Sequence, residues 1–186
     1  NVDLKRNSIA AEVAMLLLDD AKAEEALELL LSAQHDEYDN GQDAWDAAYI
    51  ASLTALGRTE NAQSYRWDCF IANLSTNHLR DYLKLLPDFD DVEAEDAAKQ
   101  HVLQFPSVSI ALEFYLNWPD FRAAAKLVET RADEINGDLY SLLTSATEVL
   151  RSKHPLATVI LYRSMIDDTL QKDRSSLYIQ AADQLA

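Results

Sequence analysis

Residues 43–70 read DAWDAAYIASLTALGRTENAQSYRWDCF, and this stretch decides the fold. Asp43 opens a run carrying Trp45, Tyr49, Leu53 and Leu56, spaced three or four residues apart as on one face of a helix. Gly57 follows, where a tight or left-handed turn wants a residue without a Cβ. Thr59 then stands as the cap of a second helix that carries Ala62, Arg66, Cys69 and Phe70. The spacing predicts two helices joined by a short turn.

Outward from Ala62 the unit recurs. Ala26, Ala62, Ala94, Ala125 and Ala157 are separated by 36, 32, 31 and 32 residues, and seven residues after each stand Ala33, Cys69, His101, Ala132 and Ser164. Helices whose axes approach within about 8–10 Å need small residues at the crossing point. We read this ladder as packing positions of a helix-turn-helix array, in which each repeat buries its apolar face against its neighbours. Glycine and proline together number seven in 186 residues, too few for the frequent turns of a β-rich chain. The expected fold is all-α, a right-handed solenoid of about five helix-turn-helix units, forming one repeat domain over residues 1–186.

The other units follow the same logic. The first pairs helices over 8–19 and 23–33, with Ser8 as cap and Ile9, Val13, Leu16 and Leu17 as apolar stripe; a polar loop over 34–40 ends at Gly41. The third carries Leu79, Tyr82, Leu83 and Leu86, stopped by Pro87, and Asp88-Phe89-Asp90-Asp91 leads into an acid-rich first turn that suits the helix dipole. The fourth starts at Ser107 and turns at Trp118-Pro119. Its returning helix over 121–135 ends at Asn136-Gly137. The fifth spans 139–151 and 155–170, with Pro155 in a first-turn position. From Ser175 a sixth unit or closing cap begins. The chain starts at Asn1 and stops within an amphipathic pattern, so a longer parent protein is expected.

Charge narrows the partners. Acids outnumber bases 32 to 16, a net −16, and residues 1–100 alone carry 21 acids against eight bases. Such a surface repels phosphate backbones and anionic lipid, so neither nucleic acid nor membrane is an expected partner. It reads either as a solvated face that keeps the protein soluble or as a field that steers a basic protein partner to the first three units. No apolar run nears the roughly 20 residues needed to span a bilayer, and no leader segment is visible, which leads to an expected cytoplasmic location.

Positive signs of chemistry are missing. His35, His78, His101 and His154 each lack a second histidine or cysteine at ligand spacing, so no zinc motif is present and no metal or cofactor is expected. The acidic run Asp88, Asp90, Asp91, Glu93, Glu95 and Asp96 lacks the glycine and spacing of a calcium loop. Cys69 is alone and sits in a helix that buries it as a small hydrophobe. There is neither a nucleophile elbow nor a phosphate loop, and an enzyme has no constellation to rest on. Two aromatic pairs at four-residue spacing, Trp45 with Tyr49 and Phe114 with Trp118, read either as core packing or as the lining of a groove for a partner helix or peptide.

The unit resembles the tetratricopeptide repeat: a bulky residue early in the first helix, Leu56-Gly57 at the turn and Ala62 early in the second helix. That resemblance implies a concave face lined by first-helix positions. These are Ala44, Ala47, Ala51 and Ala55 in the second unit, and Ser107, Ile110, Phe114, Asn117 and Trp118 in the fourth. The lysine–asparagine clamp for a C-terminal carboxylate is absent from these positions, while an apolar groove suits a helix.

In running sequence the chain is also similar to a family of uncharacterised bacterial, mainly proteobacterial, proteins. The resemblance covers most of residues 10–180. It rests on Arg66-Trp67-Asp68-Cys69-Phe70, Leu79-Arg80-Asp81-Tyr82-Leu83-Lys84, Leu86-Pro87-Asp88-Phe89-Asp90-Asp91-Val92-Glu93-Ala94-Glu95, His154-Pro155-Leu156-Ala157 and Arg163-Ser164-Met165-Ile166-Asp167. It implies a larger parent with this chain as its C-terminal helical part. Some similar proteins are labelled SWIM zinc-finger proteins, but the cysteines and histidine of that finger are absent here. The expected function is a protein-interaction scaffold using Phe114, Asn117 and Trp118, then Trp45 and Tyr49. The competing expectation is a structural module whose groove is filled by the rest of its own chain.

Overall fold

A computed structural model of the protein describes residues 6–33 and 41–171. Every regular element among them is helical. The expected 34–40 loop and the sixth-unit helix after Ser175 lie outside the described residues. The chain divides into two compact units, Asn1–Cys69 and Phe70–Ala186. No helix among the described residues is long and apolar enough to cross a membrane.

The first unit contains α1 (Asn7–Asp19), α2 (Ala23–Ser32), α3 (Gln42–Ala55) and the start of α4 (Thr59–Asn73). Helix α1 packs on α2 and α3, and α2 packs on α3. Its core is rich in small residues: Ala10, Ala11, Ala14, Ala26 and Ala48 around Leu30 and Trp45, with Leu27, Ile50, Leu53 and Ala62 beside them. The expected stripe on α1 is therefore rotated. The alanines face inward and Leu16 is exposed, because an alanine face lets three helices approach closely while bulkier side chains sit at the flanks. Ser8 is not the cap either; α1 begins one residue earlier, after Arg6.

A polar network runs through this core. Asp46, buried on α3, accepts hydrogen bonds from Gln42 Nε2 at 2.7 Å, Tyr65 Oη at 2.8 Å and the Cys69 thiol at 3.8 Å. Asn7 Nδ2 donates to Gln42 Oε1 at 3.3 Å. Burial first, and then the Asp46 charge, push the Cys69 thiol up to about 11. Burial, with its bond to Asp46, also drives the Tyr65 phenol upward. A buried carboxylate held by several donors fixes its neighbours in one arrangement, since an unsatisfied partner inside would cost far more than one in water.

The second unit holds the rest of α4, then α5 (Thr76–Leu83), α6 (Asp90–Gln104), α7 (Val108–Asn117) and α8 (Phe121–Thr130). A single 3-10 turn (Ala132–Glu134), α9 (Tyr140–Leu150) and α10 (Pro155–Gln171) complete it. From α6 onward each helix packs on the next and the next but one in the chain. Caps fix the helix starts: the Ser107 hydroxyl accepts from Ile110 N at 3.4 Å as expected, and Ser75 and Asp120 do the same for His78 N and Ala123 N. The returning helix of the fourth unit is shorter than its sequence span, ending at Thr130. Arg131 leaves the helical path there. It donates to the carbonyls of Phe105 at 2.6 Å and Pro106 at 3.1 Å, tying the α6–α7 connection to the one after α8.

The ladder is largely a set of packing positions. Ala26, Ala62, Ala125 and Ala157 are buried, while Ala94 is only partly so. His101, the one large member of the second row, is half-buried; its Nε2 lies 3.0 Å from the Ile71 carbonyl oxygen, and its ring lies edge-on to Phe70 and Phe105.

Candidate functional site

The aromatic residues separate into two sites, one in each unit. On α3, Trp45 and Tyr49 stack with ring centroids 5.0 Å apart, and Tyr65 meets Tyr49 edge-on at 4.7 Å. Trp45 is buried and its indole donates to the Leu30 carbonyl at 3.1 Å. It is a core residue whose one polar atom is satisfied internally, as buried tryptophans require. Tyr49 is half-buried beside it.

On α7 the four-residue spacing builds a column. Phe70, Phe114 and Trp118 follow one another, with centroid separations of 5.8 Å at each step and the last pair nearly parallel. Phe114 is buried and belongs to the core. Trp118, half-buried, forms the outer end: its indole donates to Glu95 Oε1 at 3.0 Å, and the Arg80 guanidinium lies 5.3 Å from its ring centroid. Arg80 also donates to the Asn117 carbonyl at 3.1 Å, meeting the negative end of α7. Lys99 lies 2.9 Å from Glu95 and 3.6 Å from Asp120. Its hydrogen bond is the largest influence holding the Glu95 carboxyl below its usual range, with the indole adding to it. These residues, with Pro119, Phe121 and Arg122, line an open cleft of about 530 Å3.

Truncating Trp118 to alanine removes the stack, the indole bond and the guanidinium contact together. We expect urea unfolding of the second unit to lose roughly 2 kcal/mol of stability, with Trp118→Phe recovering about half by restoring the stack and an aromatic face for Arg80 without the indole bond. Equal losses for both variants would mean that the Glu95 bond, and not stacking, carries the effect.

A second depression lies on another side of α7. Ser109, Ile110, Glu113, Leu116 and Asn117 of α7 face Leu139 and then Tyr140, Ser141, Leu142 and Ser145 of α9 across a groove of about 710 Å3. Ile110 and Leu139 are exposed within it, and Glu113 and Asp138 add acids to its lining. The five expected site residues thus divide. Asn117 lines the α7–α9 groove, Trp118 lines the charged cleft, Phe114 lies in the core between them, and Trp45 and Tyr49 form a separate cluster in the first unit.

Sequence reasoning missed the α9 half of the groove. Its signal was available in the exposed-face spacing of Leu139, Leu142 and Ser145. The partners of Trp118 gave no local signal, because Arg80 and Glu95 lie 38 and 23 residues away in the chain.

No curated protein and no solved structure matches this sequence. A family model does match, over residues 2–186, and with it the chain belongs to a family of unknown function, DUF6880.

Proposed function

We propose that this protein is a protein-interaction scaffold, a tetratricopeptide-like helical repeat of bacterial cytoplasm that takes a partner segment into the groove between α7 and α9. The observation that carries the reading is the groove itself, whose lining combines the exposed apolar Ile110 and Leu139 with the acids Glu113 and Asp138. The packing of each helix on the next and the next but one, from α6 onward, agrees with a solenoid in which α7 and α9 are first helices of adjacent repeats. An amphipathic helix with apolar residues at three- and four-residue spacing and lysine or arginine at its flanks fits this chemistry, the apolar face for affinity and the cations for register.

The test is fluorescence anisotropy with labelled 18-residue leucine–lysine peptides of helical period, against the wild type and the Ile110→Glu/Leu139→Glu double variant. Binding by the wild type and at least tenfold weaker binding by the double variant would support the reading. Equal binding by both, or no binding at all, would count against it. In a longer parent, failure of the same peptides to bind while the excised chain takes them would favour a groove occupied by the protein's own chain.

A further inference from the structure

The turns joining first to second helices share a register through the first three repeats. Ala21, Gly57 and Phe89 each lie five residues before a ladder alanine, and all three have positive φ, 61°, 70° and 80°. Glycine adopts this conformation freely, whereas a residue with a Cβ is strained in it. At Gly57 an added Cβ would meet no atom within 4 Å, so this turn position looks outward. In the third repeat the position is filled by phenylalanine, and its side chain is 82% exposed. Leu85 and Val92, on either side of it, are each more than half exposed. The backbone beneath is held by bonds from Asp90 N to the Pro87 carbonyl at 3.2 Å and from Glu93 N to the Phe89 carbonyl at 3.4 Å.

Neither stability nor turn geometry asks for phenylalanine here. Glycine would relieve the backbone, and a polar side chain would suit the solvent. We propose that the α5–α6 turn is a docking knob, and that its occupant is a protein surface offering an apolar socket ringed by lysine or arginine. Charge selects this occupant. Asp88, Asp90 and Glu93 are exposed around the knob, and the Asp91 carboxylate accepts from the Val92 amide. They attract a basic rim and repel nucleic acid and anionic lipid. A single aromatic side chain on a closed turn loses little freedom on docking, which is what an interface anchor needs. This surface is independent of the α7–α9 groove.

The experiment selects a display library of disulfide-constrained peptides on the full chain, with the Phe89→Gly variant in solution as competitor. The expected peptides combine lysine or arginine with apolar residues and bind Phe89→Gly and Phe89→Ser at least tenfold more weakly than wild type. They lose affinity for the Asp88→Asn/Asp90→Asn/Glu93→Gln variant and keep it for Ile110→Glu/Leu139→Glu. Phe89→Gly itself is expected to melt at the same temperature as the wild type or higher. Recovery of no peptide, of peptides without cationic residues, or of peptides indifferent to residue 89 would overturn the proposal. So would Phe89-dependent binding to anionic vesicles, or a lowered melting temperature for both residue-89 variants, which would make the side chain structural.

Discussion

Gly137→Ala is expected to cost the second unit about 3 kcal/mol, at the upper end of what overpacking usually does. A Cβ built on Gly137 would run into the Ser164 carbonyl oxygen and stand 2.8 Å from both the Ser164 carbonyl carbon and Asp168 Cβ. Two of those atoms are backbone in the middle of α10, so no rotamer change makes room. The turn cannot withdraw either, because Ser164 Oγ donates to the Ile135 carbonyl at 3.2 Å and holds the two segments together. Relief must come from moving α10, whose Ala157, Leu161 and Met165 are wholly buried. Urea unfolding followed by far-UV circular dichroism should show the loss, and amide exchange should show it concentrated in α9 and α10. Gly57→Ala is the contrasting case. There the φ is 70° with open space around the missing Cβ, so only the backbone cost of about 1 kcal/mol is expected. If the two variants lose equal stability, close approach is not the reason for glycine at 137.

Those two glycines mark what could be read in advance and what could not. Gly57 was legible because its cause is local: it follows Leu56 at the end of a periodic run, where a helix ends in a left-handed residue, and the structure gives it a φ of 70°. Gly137 carries the same signal after Asn136, and its reading as a helix stop misses the cause. The constraint comes from Ser164, 27 residues later, and spacing within one segment cannot report it. Four of the five ladder alanines, Ala26, Ala62, Ala125 and Ala157, are buried, and a buried small residue at near-constant spacing is a signal that sequence can carry. Helix α1 shows how periodicity can mislead. Ile9, Val13, Leu16 and Leu17 and the set Ala10, Ala11, Ala14 both have helical spacing. Hydrophobicity favours the first, but the close approach of α2 and α3 selects the second. In the candidate site, Ile110 and Asn117 are exposed and stand among the first-helix positions expected from the alanine spacing. The indole bond to Glu95 joins α6 to the end of α7 and needed the fold to be found. The left-handed position of Phe89 is within reach of the ladder, five residues before Ala94, but the acids around it carry the stronger signal of a helix N-terminus.

Alkaline pH is expected to unfold this protein well before its surface chemistry would suggest. Three acidic protons are held above their ordinary range. Burial, then the Asp46 charge, takes the Cys69 thiol from 9.0 up to about 11. Burial and the bond to Asp46 raise the Tyr65 phenol from its usual 10.0, and burial first, then the charge of Asp120, raises that of Tyr115. In the unfolded chain these groups release their protons at ordinary values, so above pH 9 for the thiol and above pH 10 for the phenols the folded state binds more protons. Stability then falls as pH rises, by up to about 1.4 kcal/mol per pH unit for each group. The thiol's share is complete once pH passes about 11, where the folded state too releases its proton. Well below pH 9, by about pH 8, all three are protonated in both states and contribute no slope. Urea midpoints measured from pH 8 to 11 should therefore be flat at first and then drop steeply. Absorbance at 295 nm should show at least two of the eight tyrosines ionising only with the unfolding transition. Tyr115→Phe separates the effect from general charge repulsion in a chain of net −16. It forfeits the hydrogen bond from the phenol to the Lys99 carbonyl, about 1 kcal/mol at neutral pH, yet its second unit should lose stability less steeply above pH 10. An unchanged slope in that variant, or all tyrosines titrating together near 10 in the folded protein, would show that repulsion and not buried protons governs the alkaline limit.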